Sequence, residues 1–184
     1  MEYNVNYMVL RKNIINNLAE SQLKIGYSEN AVTLNYTGDS LRKFLLPDEG
    51  ESIEEAFAQF ARHVSSELGK LTLSPFEDRY ALTVPVQGVR FVHENIKPEP
   101  FLEEFITAVK TPSRLKDIED VIQIFKKYSD RVVCRKAEHN EFEYILYFSD
   151  GIPDDFVYCI DTDFGTVSYH RFTKEDYLSM EYEL

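Results

Sequence analysis

Carboxylates and a histidine in the turns of the C-terminal region could bind a hard cation or act as a general acid and base. The residues concerned are Glu138, His139, Glu141, Asp150, Asp154, Asp155, Asp161 and Asp163. Successive turns of an antiparallel meander lie at opposite ends of the sheet, about 20 Å apart for strands of about six residues. Residues 150–155 are therefore too far from Asp161 and Asp163 to share a site with them. The turn at residues 138–141 lies at their end of the sheet, roughly 10 Å away.

Turn formation explains the same residues without a ligand. Asp and Asn side chains bond to their own backbone in tight turns, and oxygen-ligand sites usually have more densely spaced carboxylates than this. We favour the turn interpretation. A small metal-dependent enzyme at the end that carries His139 and Asp163 is kept as an alternative.

Other combinations of reactive residues give no stronger signal. His93 beside Glu94 could be a base with an orienting carboxylate, but the pair is equally typical of a helix end, where histidine suits the helix dipole. Cys134 and Cys159 lie in strand-like runs without metal-ligand spacing and are expected to be packed free thiols. No glycine pattern for a nucleotide phosphate is present. The sequence therefore predicts no catalytic residue, no metal site and no cofactor, and favours a protein that is not an enzyme.

Acidic residues and tyrosines together indicate a partner surface near the C-terminus. From residue 138 onward there are 12 acidic side chains and two basic ones, Arg171 and Lys174, which gives a net charge of −10. Such a field attracts basic partners, and tyrosine is enriched at interface cores. The predicted partner surface consists of Tyr147, Tyr158, Tyr169, Asp154, Asp155, Asp161 and Asp163. On this interpretation, reversing Asp154 and Asp155 to lysine weakens binding and leaves the fold intact; a merely solvated acidic face is the alternative.

The N-terminal half is organised around a helix that begins with a capping box at Ser52 and Glu55. The predicted elements are a helix over about 4–25, a strand over 32–36, a helix capped by Asp39, the capping-box helix ended by Gly69, a hairpin with its turn at 75–79, and a short helix over 85–95. This is the order of a winged helix, with residues 71–84 as the wing.

The C-terminal half is predicted to be two helices, four strands and a last helix. Pro98 to Pro100 opens the first helix, Ser113 caps the second, the strands cover 131–137, 142–149, 156–161 and 167–172, and Thr173 caps the last helix. The fold class is α+β: a winged-helix-like half with a β-hairpin, followed by two helices, a four-stranded antiparallel meander and a short C-terminal helix. The halves are residues 1–97 and 98–184, which either share a core or form separate domains.

Two segments of the chain resemble a known family. SQLKIGY at residues 21–27 and VPVQGVRFVHE at residues 84–94 are similar to an uncharacterised family of Gram-positive bacteria, domain of unknown function 3877. The resemblance covers most of the chain. It implies a compact bacterial protein and carries no activity that could be transferred.

Composition is consistent with a soluble folded protein of the cytoplasm. The 184 residues are 43% hydrophobic with a net charge of −12, no apolar run reaches the roughly 20 residues that cross a bilayer, and the charged start lacks a secretory core. We predict a non-enzymatic interaction or regulatory protein, such as an immunity or antitoxin-like inhibitor of a basic protein. A winged-helix regulator is the other alternative, although the acidic helix at 52–68 makes duplex DNA an unexpected partner. No membrane partner is expected, and the oligomeric state is left open.

Overall fold

Two antiparallel sheets and seven helices make up the residues described by the computed structural model, which are 5–47, 49–137 and 141–180. The fold class is therefore α+β, as predicted, with a four-stranded antiparallel meander in the C-terminal part. The chain divides into two compact units, unit 1 (Met1–Pro98) and unit 2 (Glu99–Leu184). Among the described residues, no helix has both the length and the apolar character that crossing a bilayer requires.

Unit 1 combines a three-stranded sheet with four helices. Its elements are α1 (Val5–Ile25), β1 (Val32–Thr37), α2 (Gly38–Leu45), α3 (Ile53–Leu68), β2 (Thr72–Phe76), β3 (Arg79–Val84) and α4 (Val86–Asn95). The strand order is β1-β3-β2, because the β2–β3 hairpin returns with β3 beside β1. Apolar side chains from all four helices and from β3 meet in one core, among them Leu10, Ile14, Leu18, Leu41, Phe60, Val64, Leu82, Val84, Val89 and Val92.

Helix α3 begins at the predicted capping box. The Ser52 hydroxyl accepts a hydrogen bond from the Glu55 backbone N–H at 3.2 Å, and the Glu55 carboxylate accepts one from the Ser52 N–H at 2.9 Å. The hydrogen bonds from Ser52 lower the pKa of Glu55 below its usual value. The helix ends at Gly69, whose φ of +71° suits a residue without a Cβ. Both helix boundaries that the sequence predicted are confirmed.

Two predicted helix caps were wrong. Thr37, not Asp39, caps α2, because the helix already starts at Gly38 and the Thr37 hydroxyl accepts from the Ser40 N–H at 3.1 Å. Asp117, not Ser113, caps the second helix of unit 2, and its carboxylate accepts from the Asp120 N–H at 3.1 Å. Ser113 has a φ of +62°, which a capping residue with extended backbone cannot adopt.

The predicted hairpin turn at 75–79 is narrower in the structure. Pro75 lies within β2, opposite Tyr80, and only Glu77 and Asp78 separate the two strands. Proline is tolerated there because β2 is an edge strand, where a missing N–H removes no ladder bond.

Unit 2 packs two helices against one face of the meander and one helix against the other. Its elements are α5 (Pro100–Lys110), α6 (Ile118–Lys126), β4 (Val132–Lys136), β5 (Tyr144–Phe148), β6 (Phe156–Asp163), β7 (Thr166–Thr173) and α7 (Lys174–Ser179), with strand order β4-β5-β6-β7. Buried aromatic rings fill the α5–α6 side, where the ring centroid of Phe101 lies 4.7 Å from that of Phe125 and 5.8 Å from that of Tyr158. Tyr177 of α7 covers Ile145, Val157 and Cys159 on the opposite face.

Candidate protein-interaction surface

The structure does not bring the predicted tyrosines together on one surface. Tyr158 is fully buried beneath α5 and α6, and the half-buried Tyr169 lies beside it, 4.9 Å from the Phe105 ring. Tyr147 points to the face that α7 partly covers. Neighbouring strand positions point to opposite faces, so the register that pairs Tyr158 with Leu146 separates it from Tyr147.

The predicted aspartates lie at opposite ends of the sheet. Asp154 and Asp155 precede β6, whereas Asp161 and Asp163 lie at its end. A strand of this length separates the two pairs by about 20 Å or more. No single acidic surface can therefore include all four of the predicted aspartates.

Asp154 takes part in a buried ion pair. Its carboxylate lies 2.9 Å from Nη2 of Arg171, and both side chains are only 3% exposed. The hydroxyl of Tyr158 donates to the same carboxylate at 2.8 Å and accepts from Nε of Arg171 at 3.0 Å. The Phe156 N–H donates to the second carboxylate oxygen at 3.0 Å, and the Arg171 guanidinium lies 3.6 Å above the Phe156 ring.

This network gives Asp154 a structural role. Lysine at position 154 would place a second cation beside the Arg171 guanidinium, away from water. The expectation that both aspartates can be reversed without harm to the fold is therefore wrong for Asp154, and it applies to the exposed Asp155 alone.

The opposite end of the sheet concentrates exposed carboxylates. Glu143, just before β5, accepts from the N–H of Thr162 at 2.8 Å and from its hydroxyl at 2.5 Å, and these bonds lower the pKa of Glu143. The Asp161 carboxylate accepts from the Glu143 N–H at 3.0 Å. Glu143 thus stays ionised near neutral pH, and the two carboxylates together tie β5 to β6. Glu141 and Asp163 are exposed nearby, and Lys136 is the cation whose charge acts on Glu143.

A fully exposed phenylalanine lies at this end of the sheet. Phe164 and Gly165 form the two-residue turn between β6 and β7, closed by the pair Asp163 and Thr166. Both turn residues have positive φ, +50° and +75°, a conformation that hairpin turns require and that usually selects Asn-Gly. Phenylalanine in this conformation costs about 1–2 kcal/mol. We call Glu141, Glu143, Asp161, Asp163 and Phe164 the acidic tip.

Sequence reasoning missed Phe164, although a signal was present. The segment TDFG has the composition of a tight turn, and a two-residue turn that ends in glycine normally begins with Asn, Asp or Gly. A large apolar residue in that position was the anomaly.

The other candidates for chemistry show no reactive arrangement. Among the described residues, no three His, Cys, Asp or Glu side chains are grouped so that they could hold a metal ion; Glu138 and His139 of the predicted cation cluster lie outside those residues. Burial raises the pKa of the Cys134 thiol and raises that of Cys159 to about 12, so both are protonated at neutral pH. His93 lies in the last turn of α4, as predicted, and stacks on Tyr27 with the ring centroids 4.0 Å apart.

The described residues thus define an acidic α+β protein with a buried ion pair at one end of its C-terminal sheet and an exposed carboxylate-rich hairpin at the other. Comparison with family models matches residues 7–180 to the family described as a domain of unknown function, E. rectale gene description (DUF3877). The chain belongs to this family, and the resemblance inferred from the sequence is confirmed. Neither curated proteins nor solved structures give a match.

Proposed function

We propose that this protein is a non-enzymatic interaction or regulatory module that binds a basic protein partner through the acidic tip of unit 2. The observation that carries the proposal is Phe164, which is fully exposed and held at a φ of +50° at the end of the sheet that carries Glu141, Glu143, Asp161 and Asp163. Side chains kept in unfavourable backbone conformations cluster at functional sites. Aromatic side chains, phenylalanine among them, are also enriched in the cores of protein interfaces.

The parts of the acidic tip have different roles in this proposal. The carboxylates steer a basic partner to the hairpin and select it by sign. Phe164 supplies the contact that becomes desolvated on binding and that charge alone does not provide. The bonds from Thr162 to Glu143 fix the strand ends beforehand, so that less order has to be gained on binding. An immunity or antitoxin-like inhibitor is one form such a module takes, and two free thiols suit a reducing compartment such as the cytoplasm.

Photo-crosslinking in living cells tests the proposal. We expect a photoreactive phenylalanine analogue at position 164 to capture a basic protein. The matched control is the same analogue at position 76, because Phe76 also lies at a hairpin end and is 61% exposed, but belongs to unit 1. Capture of an acidic protein, or capture from position 76 alone, would contradict the proposal.

The captured partner then allows a quantitative test with Phe164→Asn. Asparagine tolerates positive φ, so the variant should unfold with a free energy equal to that of the parent or up to about 1 kcal/mol higher. Loss of a hot-spot side chain should weaken binding by about 2 kcal/mol, or roughly thirtyfold. Asp163→Lys should slow association more at low salt than at high salt. Glu119→Lys reverses the charge of an exposed residue on α6 and should leave binding unchanged. If this control weakens binding as much as Asp163→Lys does, the effect comes from the overall charge of the protein.

A second candidate function is DNA-binding regulation, which one observation supports. The element order of unit 1, with sheet order β1-β3-β2, is the order expected of a winged helix. The charges oppose it, since α3 exposes Glu54 and Glu55 and the hairpin turn carries Glu77 and Asp78. Affinity for DNA comes mainly from cations on phosphates. We therefore predict that random duplex DNA does not bind with submicromolar affinity at about 0.15 M salt.

Fluorescence anisotropy with a labelled duplex measures this directly. Asp78→Lys provides a comparison variant, because it changes the sign at the exposed turn and should strengthen binding if charge is the limiting factor. Submicromolar binding by the unmodified protein would instead favour the regulator.

A further inference from the structure

A groove of about 530 Å³ runs between α3 and β2 in unit 1. This volume lies within the roughly 300–1,000 Å³ typical of small-molecule sites. Its lining includes Phe57, Ala58, Ala61, Arg62, Lys70 and Leu73. The site is separate from the acidic tip, which lies in unit 2.

The shape of the groove follows from side-chain size along one face of α3. Residues 54 to 65 line it at steps of three and four, a length of about 16 Å along the helix axis. Ala58 and Ala61 are small, so the space above them stays open, while Phe57 and Leu73 provide larger apolar walls. Gly69 lies close to the start of α4, since a Cβ there would lie 2.9 Å from Cγ of Pro85, the residue before that helix.

The lining is apolar with two cations that lack carboxylate partners among the described residues. Arg62 donates from Nε to the Ala58 carbonyl at 3.2 Å, a bond that leaves its charge uncompensated. Lys70 is exposed and forms no ion pair in the described part of the chain. The groove lining also contains the carboxylate of Glu54, which accepts a hydrogen bond from the Tyr80 hydroxyl. Burial and this hydrogen bond raise the pKa of Tyr80.

An added peptide strand does not suit this groove. In a two-residue hairpin the closing pair, here Phe76 and Arg79, is hydrogen-bonded. Hydrogen-bonded and non-hydrogen-bonded pairs alternate from there along the ladder. Leu73 and Pro75 therefore direct their backbone groups to the free edge of β2. Proline has no N–H, so Leu73 offers the one backbone donor that an incoming strand would meet in this stretch.

We infer that the groove binds a small amphiphilic carboxylate, a medium-chain fatty acid in its simplest form. The alkyl chain lies along Ala58, Ala61 and Leu73, and the carboxylate faces the uncompensated cations Arg62 and Lys70. Apolar walls with a few convergent polar groups are the usual composition of such sites.

A titration of the full chain followed by ¹H–¹⁵N NMR tests the inference with three probes of equal alkyl length: decanoate, 1-decanol and decyltrimethylammonium, each below its micelle concentration. We expect decanoate to shift the amide signals of groove residues such as Ala61 and Leu73. The cationic probe should bind about threefold more weakly, the effect expected of an exposed ion pair. The inference is overturned if decanoate shifts no groove signal, if the cation or the alcohol binds equally well, or if an acidic peptide binds there and decanoate does not.

Variants locate the two halves of the ligand. Lys70→Gln should weaken decanoate binding by about threefold, whereas Lys43→Gln, an exposed lysine on α2 outside the groove, should leave it unchanged. Ala58→Phe fills the open space from an exposed helix position and should weaken binding by more than about tenfold, because the apolar contact area is lost. Unchanged binding in Ala58→Phe would overturn the placement of the alkyl chain even where Lys70→Gln behaves as expected.

Discussion

Asp154→Ala is expected to lower the free energy of unfolding by about 3–5 kcal/mol, because it removes the carboxylate that pairs with the buried Arg171 guanidinium. Arg171 is 3% exposed, so water cannot replace the lost carboxylate; the Tyr158 hydroxyl and the Phe156 ring are among the neighbours that remain. Denaturation by urea, followed by far-ultraviolet circular dichroism, measures the difference between the variant and the parent protein.

The neighbouring aspartate is a close control for this prediction. Asp155 pairs with Lys174 at 2.6 Å, but the Asp155 side chain is 67% exposed. An exposed pair contributes about 0–1 kcal/mol, so Asp155→Ala should change the unfolding free energy by less than about 1 kcal/mol. Asp154→Asn, which keeps the shape and part of the hydrogen bonding, should fall between the two. Similar losses for Asp154→Ala and Asp155→Ala would show that burial does not set the strength of the Arg171 pair.

Gly88→Ala is expected to destabilise unit 1 by about 1–3 kcal/mol or more, the usual cost of overpacking. A Cβ at Gly88 would lie 2.5 Å from the Leu68 carbonyl oxygen and 2.6 Å from Cγ1 of Val84. The carbonyl is backbone at the end of α3, so it can move only if α3 and α4 separate. The loss of stability should appear in the same urea experiment.

Gly38→Ala should act in the opposite direction. Gly38 is the first residue of α2, and a Cβ there would meet only ordinary contacts at 3.7 and 3.9 Å. The substitution should raise the unfolding free energy by about 0.4–1 kcal/mol, because alanine loses less backbone freedom on folding. If both glycine variants shift stability in the same direction, the close approach of α4 to α3 does not determine the effect.

Local signals in the sequence predicted most of the fold. The capping box at Ser52 and Glu55 defines a helix start through atoms three residues apart, and α3 begins there in the structure. The alternation of the last four strands likewise predicted the meander. The misplaced caps have a related cause: Thr37 and Asp39 are both good capping residues two positions apart, and only the backbone decides which of them has the extended conformation.

The role of Asp154 could not be predicted in this way. Its partner Arg171 lies on the next strand, and the two meet only because β6 and β7 pair in the register that places Tyr158 opposite Arg171. An aspartate beside a proline in a turn normally faces water, so the local pattern indicated an exposed residue. The burial of Tyr158 was hidden for a similar reason: both faces of the meander carry apolar residues, and only the docking of α5 and α6 decides which face receives the larger rings.

The backbone angle of Phe164 also has an evolutionary meaning. Stability alone favours asparagine or glycine at this position, and drift under selection for folding would replace phenylalanine by residues that adopt positive φ at lower cost. Retention of phenylalanine at this turn across the family would indicate a selective pressure other than folding. On the proposal that Phe164 contacts a basic partner, members of the family that bind such a partner should carry a large apolar side chain at this turn, whereas members that do not bind one should carry Asn-Gly or Asp-Gly.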